Sequence, residues 1–345
     1  MAADDPVRWG ILGTGKIARI VAAALAESRD GSLVAVGSRN ADRSEAFGRE
    51  FGVARAHPSY DRVIGEPDVQ VVYVATHHPS HRGLAVAAAD AGKHVLCEKP
   101  MAVNAADASA IVDAARRNDV LLLEAFAYRH HGQTSRLREL LRDHAIGEVR
   151  MVDAVFGYDA GPKPENYLLV RELAGGAILD VGCYTTSMAH LVATESAGDD
   201  VVQTTEVAGS ARFAPSGVDV SSAATLSFET GLLARVACSI EAALDSRVRI
   251  DGSGGRITVP SPWLPGRIGS AATIAIERRG AELDVIDIPL DRGVYVTEVD
   301  VVNASVRSGA RSASAMSWDD SLANMRTLDR WRAAVGLRYD DDERG

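Results

Sequence analysis

Residues 7–18, Val-Arg-Trp-Gly-Ile-Leu-Gly-Thr-Gly-Lys-Ile-Ala, constrain this chain more than any other stretch. They read as a short apolar strand, a glycine turn, and a helix that carries Ile17, Ile20, Val21, Ala24 and Leu25 at helical spacing. Gly13-x-Gly15-x-x-Ala18 fits the dinucleotide fingerprint, in which alanine often replaces the third glycine. Gly13 permits the tight turn, Gly15 lets backbone approach a pyrophosphate, and Ala18 lets helix and strand pack closely. The helix N-terminus then offers unpaired N–H groups and a positive dipole end to phosphates. The same turn also occurs in α/β proteins that hold no ligand there. Here strand, turn and helix fall in order, which favours a nucleotide. Thr14, Lys16 and Ile17 complete the candidate contacts of this turn.

A length of 345 residues implies two domains or one large one. The net charge is −10 and no block is rich in Lys or Arg, which argues against a nucleic-acid surface. Cys97, Cys183 and Cys238 are odd in number and far apart, as expected of reduced thiols in a cytoplasm. Residues 1–6 lack the basic and apolar regions of a signal peptide, and no apolar run reaches membrane-spanning length. The acidic tail, residues 340–344, is expected to be disordered.

A second strand, residues 33–36, runs into Gly37-Ser38-Arg39-Asn40. NAD-binding domains usually place an Asp or Glu here for the ribose 2′-hydroxyl. Ser38 and Arg39 stand there instead, with Arg43 one helical turn on. A hydroxyl and guanidinium groups suit a 2′-phosphate, so NADP is expected ahead of NAD. Alternatively, Arg39 stacks on adenine and both cofactors are used. The apolar run 69–75 reads as a central parallel strand ending at Thr76-His77-His78-Pro79-Ser80-His81. Three histidines in five residues suggest a metal, yet no acidic ligand lies near, and no metal is expected. Thr76 and His78 are read as loop residues near the cofactor, with His81 opening the next helix.

Residues 95–97 form the next strand and lead to Glu98-Lys99-Pro100. A lysine at a strand's carboxyl end, locked by proline, suits proton handling beside a nicotinamide, where its pKa would tend to fall. The alternative is a salt bridge with Glu98. Asn104 is placed to cap the helix that ends at Arg117. The strand 120–123 then runs into Glu124-Ala-Phe-Ala-Tyr-Arg129. Five βα units have passed by this point, which defines a Rossmann domain over residues 1–130. From residue 149 the period changes to strand-like alternation, and the second glycine cluster, 252–255, precedes a strand and reads as a turn. Helices over 295–307 and 318–335 close the chain. Residues 131–335 are therefore expected to form an α+β domain with a large, mainly antiparallel open sheet. Residues 336–345 are left as the tail.

Asp180 and Tyr184 fall at i and i+4 near the start of a helix, after Gly175-Gly176. Taken singly they read as a helix cap and a core tyrosine. Together they make an acid/base pair able to share a proton with a substrate hydroxyl. Cys183 reads as structural.

Three segments, residues 10–18, 91–100 and 175–184, resemble the glucose–fructose oxidoreductase/inositol dehydrogenase/rhizopine-catabolism (Gfo/Idh/MocA) family over nearly the whole chain. The resemblance implies a Rossmann domain followed by an open-sheet domain, through which subunits pair as homodimers or homotetramers. It implies that Lys99 contacts the substrate hydroxyl and that Asp180 belongs to an Asp-x-x-x-His motif whose histidine is here Tyr184. That tyrosine, Ser38-Arg39 and the 124–129 motif are similar to the branch of glucose–fructose oxidoreductase, dimeric dihydrodiol dehydrogenase and NADP-dependent xylose dehydrogenases. His77 departs from the family's proline, and Val170 from the Trp of its Trp-Arg. Glu98 and Arg171 fall at cofactor positions, and Tyr128, Arg129 and Tyr295 near the substrate.

The expected activity is an NADP(H)-dependent oxidoreductase moving hydride to or from a CH–OH group of a sugar or polyol, with aldose C1 or a trans-dihydrodiol favoured. The catalytic set is Lys99, Asp180 and Tyr184. Two alternatives remain: a hydrolase that uses bound NAD transiently, and a non-catalytic NADP sensor.

Overall fold

The computed structural model describes residues 5–161, 166–198, 201–265 and 272–343, which divide into two compact units. In chain order the helices are α1 (Lys16–Glu27), α2 (Ala41–Phe51), α3 (Tyr60–Ile64), α4 (His81–Asp90), α5 (Ala105–Arg117), α6 (Gly132–Arg142), α7 (Cys183–Ala197), α8 (Val294–Ser308) and α9 (Trp318–Ala334).

The first unit takes the chain up to Ala102, Ala106–His130 and Arg292–Trp318. Its strands are β1 (Val7–Leu12), β2 (Gly31–Gly37), β3 (Arg55–His57), β4 (Val71–Val74), β5 (His94–Cys97) and β6 (Leu122–Glu124). They form one parallel sheet in the order β3-β2-β1-β4-β5-β6. The order reverses between β1 and β4, and ligands of doubly wound sheets bind outside the carboxyl ends at such a switch point. The pieces β3 and α3 escaped the sequence reading, because three and five residues are too few to show a period. Val7, Trp9 and Ile11 of β1 and Val71 and Tyr73 of β4 are fully buried, and Ala18, Val21, Ala22 and Leu25 of α1 pack on them.

Helix α8 was read with the second domain. It packs instead in the first unit, where Val296, Val299, Val302 and Val306 join the core. Trp9 Nε1 donates to Asn303 Oδ1 at 2.8 Å, and the Leu122 amide donates to the Arg311 carbonyl at 3.0 Å.

The second unit takes Val103–Ala105, His131–Asp291 and the chain from Asp319. Its strands are β7 (Val149–Gly157), β8 (Thr204–Phe213), β9 (Asp219–Phe228), β10 (Leu233–Ser239), β11 (Arg247–Gly252), β12 (Gly255–Val259), β13 (Ala272–Arg278) and β14 (Asp284–Ile288). The sheet order is β14-β13-β12-β11-β7-β10-β9-β8, and every pairing is antiparallel except β7 with β10. Strand β9 buries Val220, Ser222, Ala224, Leu226 and Phe228 and exposes Ala223 and Thr225 on its other face, the alternation of a sheet covered on one side. Helix α7 packs on β7 and β10, and α6 on α7 and β13.

The tail is ordered through Glu343, contrary to expectation. Asp340–Glu343 make a 3₁₀ turn, and the Asp342 carboxylate accepts two Arg332 nitrogens at 2.6 and 2.9 Å. Arg332 is almost fully buried, so the ion pair is desolvated and loss of one partner leaves a costly charge. Arg344 lies outside the described residues. The Asn104 side-chain amide donates to the Asp341 carbonyl, and the Ala105 amide at the start of the helix donates to Asp329 Oδ2. Among the described residues no helix is long and apolar enough to cross a membrane.

Candidate functional site

The carboxyl ends of the parallel strands gather most of the expected cofactor residues. After β1, Gly13 has φ +114°, and a Cβ there would overlap the Ala75 carbonyl oxygen. Gly15 caps α1 with no side chain, and a Cβ on it would meet nothing within 4 Å. Open space therefore lies before bare helix N–H groups whose first turn carries no acid, a fit to a pyrophosphate. Lys16 is exposed, Ile17 packs on the core, and the Thr14 carbonyl accepts from Arg19.

After β2, the buried Ser38 hydroxyl accepts from the Asn40 amide at 3.2 Å, and Asn40 caps α2 by accepting from the Arg43 amide at 3.0 Å. Arg39 and Arg43 are exposed. Burial, and secondarily the Arg39 charge, hold the His77 ring below its ordinary pKa, so Arg39 bears on the loop after β4 as well. In that loop the Thr76 hydroxyl accepts from Ser80 Oγ at 2.8 Å, and the buried His78 ring meets His81 edge-on at 5.7 Å. Among the described residues no group of three His, Cys, Asp or Glu is placed to hold a metal.

After β5 come Glu98, Lys99 and Pro100, with a cis Lys99–Pro100 peptide. The fully buried Tyr73 hydroxyl donates to Glu98 Oε1. Burial and then the Glu98 charge push the Tyr73 phenol well up. Glu298 of α8 is buried as well, and burial followed by Glu98 drives its carboxyl far above the usual range. Sequence reasoning missed Glu298, since nothing local tied α8 to this unit. Tyr295, expected near substrate, is half-buried against the first unit's core.

Two other residues expected near substrate are buried. Tyr128 has no exposed surface and stands edge-on to Phe126 at 5.9 Å. Arg129 is buried, and its Nε donates to the Ala315 carbonyl at 2.8 Å. Both side chains tie residues 124–130 to the unit's interior.

In the second unit, the helix expected to begin near Asp180 opens earlier, with a π turn over Ile178–Gly182 that continues into α7. Asp180 thus lies inside the turn and is not its cap. The capping group is Asp219 of β9, whose Oδ2 accepts from the Ile178 amide at 2.7 Å. Burial pushes the Asp219 carboxyl up to about 7. Gly176 has φ +116°, and a Cβ there would overlap Asp219 Oδ1; the Tyr339 hydroxyl donates to the Gly175 carbonyl. Asp180 Oδ2 accepts from the Tyr158 hydroxyl at 2.6 Å.

Tyr184 is half-buried, and its ring stands edge-on to Phe156 at 5.3 Å and to Trp263 at 6.0 Å. Phe156 and Trp263 stack on each other at 5.5 Å. Sequence reasoning missed Tyr158, Asp219, Phe156 and Trp263, which reach this turn from distant strands and loops. Cys183 is buried with its thiol on the Asp180 carbonyl at 3.5 Å, a structural place. Arg171, expected at the cofactor, directs its donors to the Gly217 and Arg338 carbonyls and lies over the Tyr339 ring. Residues 162–165, between Gly161 and Asn166, lie outside the described residues.

A glycine turn at a switch point and a lysine two strands along define a two-domain, dinucleotide-binding oxidoreductase. The chain belongs to the Gfo/Idh/MocA family: residues 7–126 match its oxidoreductase, NAD-binding Rossmann domain and residues 134–258 its C-terminal domain. It is 32% identical over 340 residues to trans-1,2-dihydrobenzene-1,2-diol dehydrogenase of Xenopus tropicalis, covering 96% of this chain and 99% of that one. It is 35% identical to dTDP-3,4-didehydro-2,6-dideoxy-alpha-D-glucose 3-reductase of Saccharopolyspora spinosa, over 83% of each. KijD10, a 3-ketoreductase from Actinomadura kijaniata solved with NADP and TDP-benzene, superposes with a TM-score of 0.85 at 26% identity, over 96% of this chain and 98% of that one.

Proposed function

We propose that the protein is an NADP(H)-dependent oxidoreductase that moves hydride between the nicotinamide and a CH–OH group of a sugar or related polyol. Aldose C1 and a trans-dihydrodiol are the favoured substrates. The observation that carries this reading is the edge formed by Gly13 and Gly15 after β1, Ser38 and Arg39 after β2, and Lys99 after β5. Position 38 carries a buried hydroxyl in place of a carboxylate, and Arg39 and Arg43 stand exposed beside it, which suits a 2′-phosphate. The relatives that act on a dihydrodiol and on nucleotide-linked keto sugars, one of them solved with NADP, support the same class.

When bound, the nicotinamide accepts or returns the hydride at the carbinol carbon. Tyr184 takes the hydroxyl proton in oxidation and returns it in reduction. Lys99 polarises the substrate oxygen. Asp180, held by Tyr158, orients this set. The Phe156 and Trp263 rings back the Tyr184 ring and hold it in place. Removing the positioned proton-transfer group costs about 10²–10⁴ in rate, so Tyr184→Phe and Lys99→Ala lower kcat on that scale with cofactor affinity retained.

The test follows nicotinamide absorbance with NADP⁺ and NAD⁺ in parallel against D-xylose, D-glucose, myo-inositol and trans-1,2-dihydrobenzene-1,2-diol. Reduction of NADP⁺ by one group supports the reading and names the substrate. A tightly held NAD with bond cleavage and no net absorbance change overturns it in favour of a hydrolase. Near-normal turnover in Lys99→Ala removes Lys99 from the site.

A further inference from the structure

Of residues 95–104, Lys99 alone is not buried. The loop therefore leaves one residue partly exposed while its neighbours are packed away. Three buried side chains from three other elements hold the residues on both sides of Lys99: the Glu98 carboxylate before it, and the backbone of Pro100 and Met101 after it. Ahead of it, Tyr73 of β4 holds Glu98. Behind it, Glu124 Oε1, at the end of β6, accepts from the Met101 amide at 2.8 Å. His81, the first residue of α4, places one ring nitrogen 3.1 Å from the Pro100 carbonyl oxygen and the other 3.1 Å from that of Thr76. Its ring is fully buried, and burial lowers its pKa to about 4. The ring is thus neutral at physiological pH and donates its single N–H to one of these carbonyls. Met101 in turn accepts from Cys97 Sγ at 3.6 Å.

We infer that Glu124 and His81 are positioning residues for Lys99: Glu124 holds the Met101 amide, His81 packs on the Pro100 carbonyl, and together they fix where the ammonium is presented. Neither needs to touch the substrate, and neither is the proton carrier. Buried side-chain partners this far apart in sequence, one an acceptor and one a donor, are an unusual provision for a plain strand-to-helix loop. Peptide groups of a loop commonly turn to water, whereas here they are taken by a carboxylate and an imidazole with almost no exposed surface. The inference rests on the role given to Lys99 above.

The experiment is a double-mutant cycle with the substrate oxidised in the panel above, starting with trans-1,2-dihydrobenzene-1,2-diol. Glu124→Ala and His81→Leu are each expected to lower kcat about 10²-fold, the scale of a 1 Å misplacement. NADPH affinity, read by nicotinamide fluorescence, should stay within about twofold of the parent, because the loss falls on orientation and not on uniform binding. Glu124→Gln keeps a carbonyl oxygen for the Met101 amide and should restore most of what Glu124→Ala loses. In a Lys99→Ala background both substitutions should change the residual rate less than about twofold, since positions acting as one unit are non-additive.

Hydrogen exchange supplies a readout free of activity: the Met101 amide should lose protection in Glu124→Ala and keep it in Glu124→Gln. An equal loss in the parent and in the Lys99→Ala background overturns the inference, as does a Glu124→Gln variant that folds, keeps Met101 protected and turns over as poorly as Glu124→Ala. If Glu124→Ala does not fold, His81→Leu and Glu124→Gln carry the cycle. Failure of Lys99→Ala to impair turnover sinks the catalytic reading instead, a result visible before any cycle is built.

Discussion

The Tyr158 hydroxyl donates to Oδ2 of Asp180 at 2.6 Å, joining the end of the strand Val149–Gly157 to the π turn at Ile178–Gly182. Leaving a buried acceptor short of a donor costs about 1–3 kcal/mol. Tyr158→Phe keeps the ring beside Phe156 and removes only the donor. Its kcat should fall about tenfold or somewhat more, since about 1.4 kcal/mol is one decade. Steady-state kinetics decide the matter: an unchanged kcat would mean that Asp180 needs no such orientation.

The two glycines of the first turn separate folding from binding. Gly13→Ala forces a side chain against the Ala75 carbonyl at φ +114° and should destabilise the apoprotein by roughly 1–3 kcal/mol or more. Gly15→Ala meets no protein atom within 4 Å, so its apoprotein should melt near the parental temperature. Its cofactor affinity should nonetheless drop at least tenfold or so, shrinking the stabilisation that saturating ligand confers. Thermal melts of both variants with and without NADP⁺ check this; a fully ligand-responsive Gly15→Ala would put the pyrophosphate elsewhere.

Cofactor choice should turn on the end of the strand Gly31–Gly37. Ser38→Asp sets a carboxylate against a 2′-phosphate and offers an acceptor to a ribose 2′-hydroxyl. The ratio of kcat/KM for NADP⁺ over NAD⁺ should fall about 10- to 100-fold, the worth of one charge-assisted hydrogen bond. A ratio that does not move would assign the discrimination to other residues.

Asp219 gives stability a pH dependence of known sign. Its carboxyl is pushed from 3.8 up to about 7 by burial, so the folded chain keeps a proton that the unfolded chain releases between those values. The contribution is full below about pH 4, declines as pH rises, and is gone above about 7, on the order of 4 kcal/mol at most. Asp219→Asn, which still offers an oxygen to the Ile178 amide, should flatten that decline. Urea midpoints at pH 5 and pH 8 test it: equal shifts for parent and variant would exclude Asp219 as the source.

How legible was the molecule in its sequence? The glycine turn, the parallel strands and the second sheet could be read from period and turn residues, because each signal lies within a dozen neighbours. Helix Val294–Ser308 was seen as a helix but placed with the wrong partners, since an apolar stripe does not say which core it covers. Lys99, Asp180 and Tyr184 stand out through their neighbours in sequence. Tyr158, Asp219 and Glu298 do not: their meaning comes from burial and from partners far away in the chain. The π turn left no local mark, and it moved Asp180 from the cap position to the interior of the turn. Tyr128 and Arg129 stand out in sequence through their motif, and only the folded chain shows how deeply both are buried.

The hydrogen bond from Trp9 to Asn303 spans 294 residues. During synthesis the first β-strand leaves the ribosome long before the helix that closes over it exists. The nucleotide-binding unit therefore cannot finish its core as a nascent amino-terminal domain; it must wait, partly open, while the entire second sheet is made. A fragment ending at His130 would expose the surface that Val299 and Val302 cover, and a premature stop anywhere before residue 294 strands both halves of the protein at once.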